Sequence, residues 1–208
     1  MFRTLVVSAF IIVLQVSCSS FTVKNGKEVA APIEPLACIV VLPVGTSVDR
    51  DKIINFAKAQ SLEKGAAYAT GVLTRELGNN PKVHLLTSQQ LSKLVPEISG
   101  GLSGTISALG RKIHCDGVLI TTIRRFRQRK GSEYAADAPA SVIFNMVLRN
   151  PETGKVLWTA DYRETQSSFL SNIFSFAKVR KRGLKWMSAE QLLDQAISER
   201  LAKCRYLQ

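Results

Sequence analysis

Two unbroken apolar runs constrain the fold of this chain more than any other feature. Ala37-Cys38-Ile39-Val40-Val41-Leu42 is rich in β-branched residues and stops at Pro43, and Cys115-Asp116-Gly117-Val118-Leu119-Ile120-Thr121-Thr122-Ile123 repeats that character. A strand with one face in water alternates apolar and polar side chains, whereas a run without alternation needs apolar neighbours on both faces. The runs therefore predict strands inside a sheet that carries a layer of helices on each side. The second run continues as Arg124-Arg125-Phe126-Arg127-Gln128-Arg129-Lys130. There it turns half-polar, as a long strand does on leaving a core.

The segments around these runs supply the layers. Ile53 to Leu77 is helical in composition, with apolar residues at Leu62, Ala66, Ala69, Val72, Leu73 and Leu77, and Gly78-Asn79-Asn80-Pro81 stops it. Lys82 to Thr87 reads as a short strand, and Thr87 or Ser88 caps a helix over Gln89 to Val95. A glycine-rich loop, Ser99 to Gly104, leads into a further helix through Leu109 and Ile113. Ser141 to Arg149 alternates, and Asn150-Pro151-Glu152-Thr153-Gly154 turns it into Lys155 to Ala160 as a hairpin. A helix from Ala189 to Lys203 closes the chain. The order predicts one α/β domain, a mixed sheet with helices on both faces, over residues 37–208.

The amino-terminal residues set the compartment. Arg3 precedes an apolar run from Leu5 to Val16, too short to cross a bilayer comfortably, and small residues follow. That is the layout of a secretory signal peptide, here residues 1–18. Cys18, directly after Val16-Ser17, sits where a bacterial lipoprotein carries its lipid-acceptor cysteine, although Gln15 occupies the place three before it where Leu is usual. Residues 19–36 are polar, with Gly26, Pro32 and Pro35, and read as a flexible tether. The expected location is the outer membrane, periplasm-facing and anchored by the lipid on Cys18; the alternative is ordinary cleavage and a soluble secreted protein.

Three stretches together resemble a known family: Ile39-Val40-Val41-Leu42-Pro43, the passage from Leu109-Gly110 to Cys115-Asp116-Gly117-Val118-Leu119-Ile120, and Asn150-Pro151-Glu152-Thr153-Gly154-Lys155-Val156-Leu157-Trp158. The pattern is similar to the superfamily of the curli-secretion channel CsgG and the penicillin-binding-protein activator LpoB. The resemblance implies an outer-membrane lipoprotein with a domain like the amino-terminal domain of TolB, an anticodon-binding-like sandwich. It covers roughly residues 37 to 165. Val44 and Thr121-Thr122 depart from the family's usual Phe and Gly at those places.

No constellation of catalytic residues is legible. His84 and His114 lie far apart without metal-ligand spacing, no Gly-Lys-Ser/Thr follows the glycine-rich loop, and no Gly-x-Ser-x-Gly elbow occurs. The expectation is a non-enzyme with no metal or cofactor. Cys38, Cys115 and Cys204 read as small apolar fillers, with a disulfide among them left open.

What is concentrated is positive charge. The chain holds 28 Lys plus Arg against 16 Asp plus Glu, a formal +12, and loss of the leader removes only Arg3. Arg124, Arg125, Arg127, Arg129 and Lys130 form one cluster; Lys178, Arg180, Lys181, Arg182 and Lys185 form another. The second belongs to an acid-free insertion at 167–186 that also carries Phe169, Ile173, Phe174, Phe176 and Trp186. A helix there places Phe169, Ile173 and Phe176 on one face before a cationic end, which suits contact with an anionic surface. Packing of those aromatics on the domain itself is the equal alternative. Phe169, Ile173, Phe174, Phe176, Lys178, Arg180, Lys181, Arg182, Lys185 and Trp186 are the expected contact residues. An envelope protein or the cell-wall polymer is the expected partner, with self-association open. Nucleic acid fits the charge but not the compartment. An oligomeric secretion channel is the alternative function, although Leu170 to Ala177 alternates too poorly for a pore strand. A secreted hydrolase is a third.

Overall fold

The structure, a computed structural model, describes residues 34–48, 55–94, 101–132, 134, 136–166 and 186–208. The chain divides into two units, Met1–Glu34 and Pro35–Gln208, and the second is the folded domain. The leader, Cys18, most of the tether and residues 167–185 lie outside the described residues.

The domain is a mixed α/β sandwich. Its strands are β1 (Ile39–Val41), β2 (Gly45–Thr46), β3 (Val83–Leu85), β4 (Gly117–Arg127), β5 (Lys130–Gly131), β6 (Ala136–Ala138), β7 (Ser141–Arg149) and β8 (Val156–Thr165). Its helices are α1 (Phe56–Leu77), α2 (Ser88–Leu94), α3 (Gly101–Ile113) and, as the fourth, α4 (Ala189–Leu201). The main sheet runs β3-β1-β4-β7-β8, with β2 also on β4, while β5 and β6 make a separate ribbon. β3, β1 and β4 are mutually parallel in that order; β4, β7 and β8 are antiparallel.

Both apolar runs become strands in the middle of this sheet. Ile39, Val40 and Val41 are 0%, 1% and 1% exposed, because alternate side chains enter two different cores. Ile39, Val41, Leu119 and Ile123 face α1 and α4, meeting Leu62, Leu73, Leu192 and Ile197. Val40, Leu42 and Val118 face the opposite way, against Ile106 and Leu109 of α3. Helices on both faces follow directly from a sequence that offers apolar side chains to both.

Local signals set the boundaries. Asn55 caps α1, its side chain accepting from the Lys58 N–H at 2.9 Å. Thr87 and Gln90 cap α2 reciprocally, at 2.8 and 3.2 Å, and Ser188 and Gln191 form the same box at α4. The hairpin turn reverses through Gly154 at φ +69°, a conformation that glycine adopts without steric cost. Two expectations shift. The glycine-rich loop is shorter, since Gly101 and Gly104 already belong to α3, whose Ile106, Leu109 and Ile113 keep helical spacing against β1. The closing helix stops at Leu201, leaving Cys204 in the turn after it, buried in the larger core.

Candidate contact surface and cysteine cluster

One step in β4 creates the cationic face. Leu119, Thr121 and Ile123 point toward α1, so strict alternation would send Arg125 inward and Phe126 outward. The register slips between Ile123 and Arg125 instead, Ile123 pairing with Phe144 and Arg125 with Ile143. A bulge of one residue inverts the phase of everything beyond it. Phe126 therefore enters the core at 6% exposure, while Arg124 and Arg125 fall on the other face. Gly65 of α1 lies so close to this ring that a Cβ there would sit 2.6 Å from Phe126 Cγ. The Ser61 hydroxyl also donates to the Phe126 carbonyl.

Beyond Phe126 the chain gathers the ends of the basic insertion. Arg129 donates to the Trp186 carbonyl. Gln128 accepts from the Ala189 N–H at 3.2 Å and donates to Glu190. Gln166 donates to the Ala140 carbonyl at 3.0 Å, and its side-chain oxygen accepts from the Met187 N–H at 2.9 Å. Residues 166 and 187 are thus hydrogen-bonded neighbours. The two flanks of the insertion meet beside the Arg124–Lys130 cluster.

Two exposed aromatics share this end. Phe56, 83% exposed, begins α1 more than a turn beyond Ser61, and Tyr134, 68% exposed, lies in the connection of the β5–β6 ribbon that starts at Lys130. Of the residues expected for contact, Trp186 alone is among those described, half-buried; Phe169, Ile173, Phe174, Phe176, Lys178, Arg180, Lys181, Arg182 and Lys185 lie outside them. Sequence reading missed Phe56 and Tyr134, because a single exposed aromatic leaves no periodic trace.

The cysteine reading requires correction. Cys38 and Cys115 form a disulfide across 77 residues, with Cα atoms 4.7 Å apart; they are not independent fillers. The cause is the parallel register, which sets Ile39 beside Gly117 and so brings the two strand entrances together. Cys204 stays a free, buried thiol, and burial raises its pKa against weaker opposing hydrogen bonds from the Tyr206 and Leu207 amides. His84 also joins the pair: its imidazole and the two sulfurs all lie within 4.8 Å of one another. Spacing along the chain hid this cluster, because its members come from three elements.

Two cavities flank the carboxyl end of β1, the place where strand order reverses in this sheet and where open α/β folds commonly bind ligands. One, of about 770 Å³, lies toward α1 and has Glu63 as its single ionisable lining residue. The other, of about 730 Å³, lies toward Leu91 and Thr105 and includes Arg124 and Asn145. One carboxylate by itself does not make an acid–base pair.

No family model matches the sequence, and no curated protein matches it. Solved structures similar to the chain include the PelC dodecamer from Paraburkholderia phytofirmans (12% identity, 82% of this chain and 89% of that one, TM-score 0.44). They also include the LpoB C-terminal domain from Escherichia coli (21%, 65% and 88%, TM-score 0.41) and lipoprotein GNA1162 from Neisseria meningitidis (14%, 70% and 95%, TM-score 0.40). The likeness is one of general architecture.

Proposed function

We propose that this chain is a non-enzymatic, lipid-anchored protein of the bacterial cell envelope, an accessory factor whose domain binds an anionic envelope component through the cationic end of its sheet. The observation that carries the contact is the hydrogen bond between Gln166 and the Met187 N–H. It holds the two flanks of the aromatic, basic insertion beside Arg124 to Lys130, which supports reading the insertion and that cluster as one contact surface. The anchor rests on the leader and Cys18.

The mechanism is restriction in space. An unfolded chain as long as the expected tether, residues 19–36, has a root-mean-square reach of roughly 25 Å. A domain held so close to a membrane meets partners in that layer at high effective concentration, so a modest charge-driven contact suffices. The contact weakens with salt, as exposed charges are screened beyond about 10 Å at 0.1 M.

The test is a pair of variants in the native envelope. Cys18→Ala is expected to release the protein from the membrane fraction and to remove the acyl mass from the mature chain; unchanged fractionation and mass sink the anchor. Replacing residues 168–185 with a short Gly-Ser linker spans a gap that the Gln166–Met187 bond already closes. That variant is expected to keep its thermal unfolding and lose partner crosslinking. Crosslinking retained at the full level removes the insertion from the contact.

A further inference from the structure

Cys38, His84 and Cys115 are brought together by three adjacent parallel strands. Val40 and His84 are register partners, so they point to the same face, and Cys38 lies two residues before Val40. Cys115 precedes β4 by two residues and packs in the core on that face. The two cysteine backbones are clamped by contacts that do not involve sulfur. The Asp116 carboxylate accepts from the Ala37 N–H at 2.8 Å and from the Cys38 N–H at 3.2 Å. In return, the Cys38 carbonyl accepts from the Asp116 and Gly117 N–H groups, each at 3.1 Å. The donors therefore stay together whatever the oxidation state of the sulfurs.

Two thiolates and an imidazole are the donor set of a thiophilic d10 cation. Zn–S near 2.3 Å and Zn–N near 2.0–2.1 Å in a tetrahedron separate the donors by roughly 3.5–3.8 Å. Reduction lets the two bonded sulfurs part toward that spacing, with the imidazole already within 4.8 Å of both. His84 is exposed, Cys38 half-buried and Cys115 buried, so a metal here keeps its fourth position toward solvent. Cys115 also lines a cavity of about 700 Å³ shared with His114, Asp116 and Glu152.

We propose that Cys38, His84 and Cys115 form a redox-gated zinc site, closed as the disulfide and open as the dithiol. A dithiol reductant delivers two electrons and two protons to the Cys38–Cys115 bond, leaving two thiols and becoming a disulfide itself. Zn²⁺ then binds the two sulfurs and the neutral His84 imidazole, releasing the two thiol protons. The metal takes over the cross-link between the starts of β1 and β4 and adds β3 to it.

The test titrates Co²⁺, as a spectroscopic probe for Zn²⁺, into the full mature chain with and without a phosphine reductant. Reduced protein is expected to bind one Co²⁺ with a thiolate charge-transfer band that equimolar Zn²⁺ abolishes, while oxidised protein shows no such band. His84→Ala, on an exposed strand position, is expected to weaken binding roughly tenfold or more with the fold intact, and Cys204→Ser to leave it unchanged. The proposal is overturned by a reduced protein with no more charge-transfer intensity than the Cys38→Ser/Cys115→Ser variant. It is equally overturned if His84→Ala binds as tightly as the native chain.

Discussion

The two halves of the sheet solve opposite problems. In the parallel half, β3, β1 and the start of β4 are covered on both faces, by α1 and α4 on one side and by α2 and α3 on the other. Among the described residues, the antiparallel half, the end of β4 with β7 and β8, is covered by helices on one face only. Val142, Phe144, Met146, Leu148 and Tyr162 enter the core. Their neighbours Asn145, Asp161 and Arg163 share the opposite face with Arg124 and Arg125. The first half is closed by helices on both faces and the second leaves Arg124 and Arg125 on a face away from the main core; the bulge after Ile123 is the joint between the two regimes.

That comparison is sharpened most by adjacent residues of one strand. Phe144 is 1% exposed and stacks on Tyr162 at a centroid distance of 5.3 Å, with Arg200 over the tyrosine ring at 5.7 Å. Phe144→Ala is expected to cost about 3–5 kcal/mol in urea unfolding. Asn145→Ala, one residue along on the opposite face, is expected to stay below about 1 kcal/mol. Equal losses at the two positions break the contrast between the faces.

The disulfide tests the parallel half. A bond that closes a 77-residue loop restricts the unfolded chain, an effect of about 2–5 kcal/mol. Cys38→Ser/Cys115→Ser is expected to lower the unfolding free energy, measured by metal-free denaturant titration, by that amount. A loss under about 1 kcal/mol means that the double layer of helices holds these strands without a staple.

How much of this was legible in the sequence follows the same division. Ile39 to Leu42 and Val118 to Ile123 announce covered strands because burial on both faces leaves no polar alternation, and the hairpin after Arg149 is announced by its Asn-Pro and Gly154 turn. The mixed sheet and two helical layers follow from those runs and their order. The bulge was not legible: Arg124-Arg125-Phe126-Arg127 reads equally as frayed alternation, and only the cross-strand register reveals the inverted phase. The cysteine cluster was missed for a similar reason, since parallel pairing of β1 with both β3 and β4 is what joins Cys38, His84 and Cys115. Both basic clusters were visible as composition, but the meeting of the insertion's flanks beside the first cluster depends on single hydrogen bonds from Gln166 and Arg129. Side-chain to backbone closures of that kind leave no pattern along the chain.

The central claim is that contact is made from the cationic end of the antiparallel half and not from the far end of the hairpin. It is tested most directly by photo-crosslinking in intact envelopes from two exposed positions of otherwise native protein: Lys130, at the start of the β5–β6 ribbon, and Glu152, in the β7–β8 turn at the other end of the sheet. The account predicts a discrete adduct from position 130 that declines as salt is raised, and at most background from position 152. Equal adducts from both positions, or an adduct from 152 alone, contradict it.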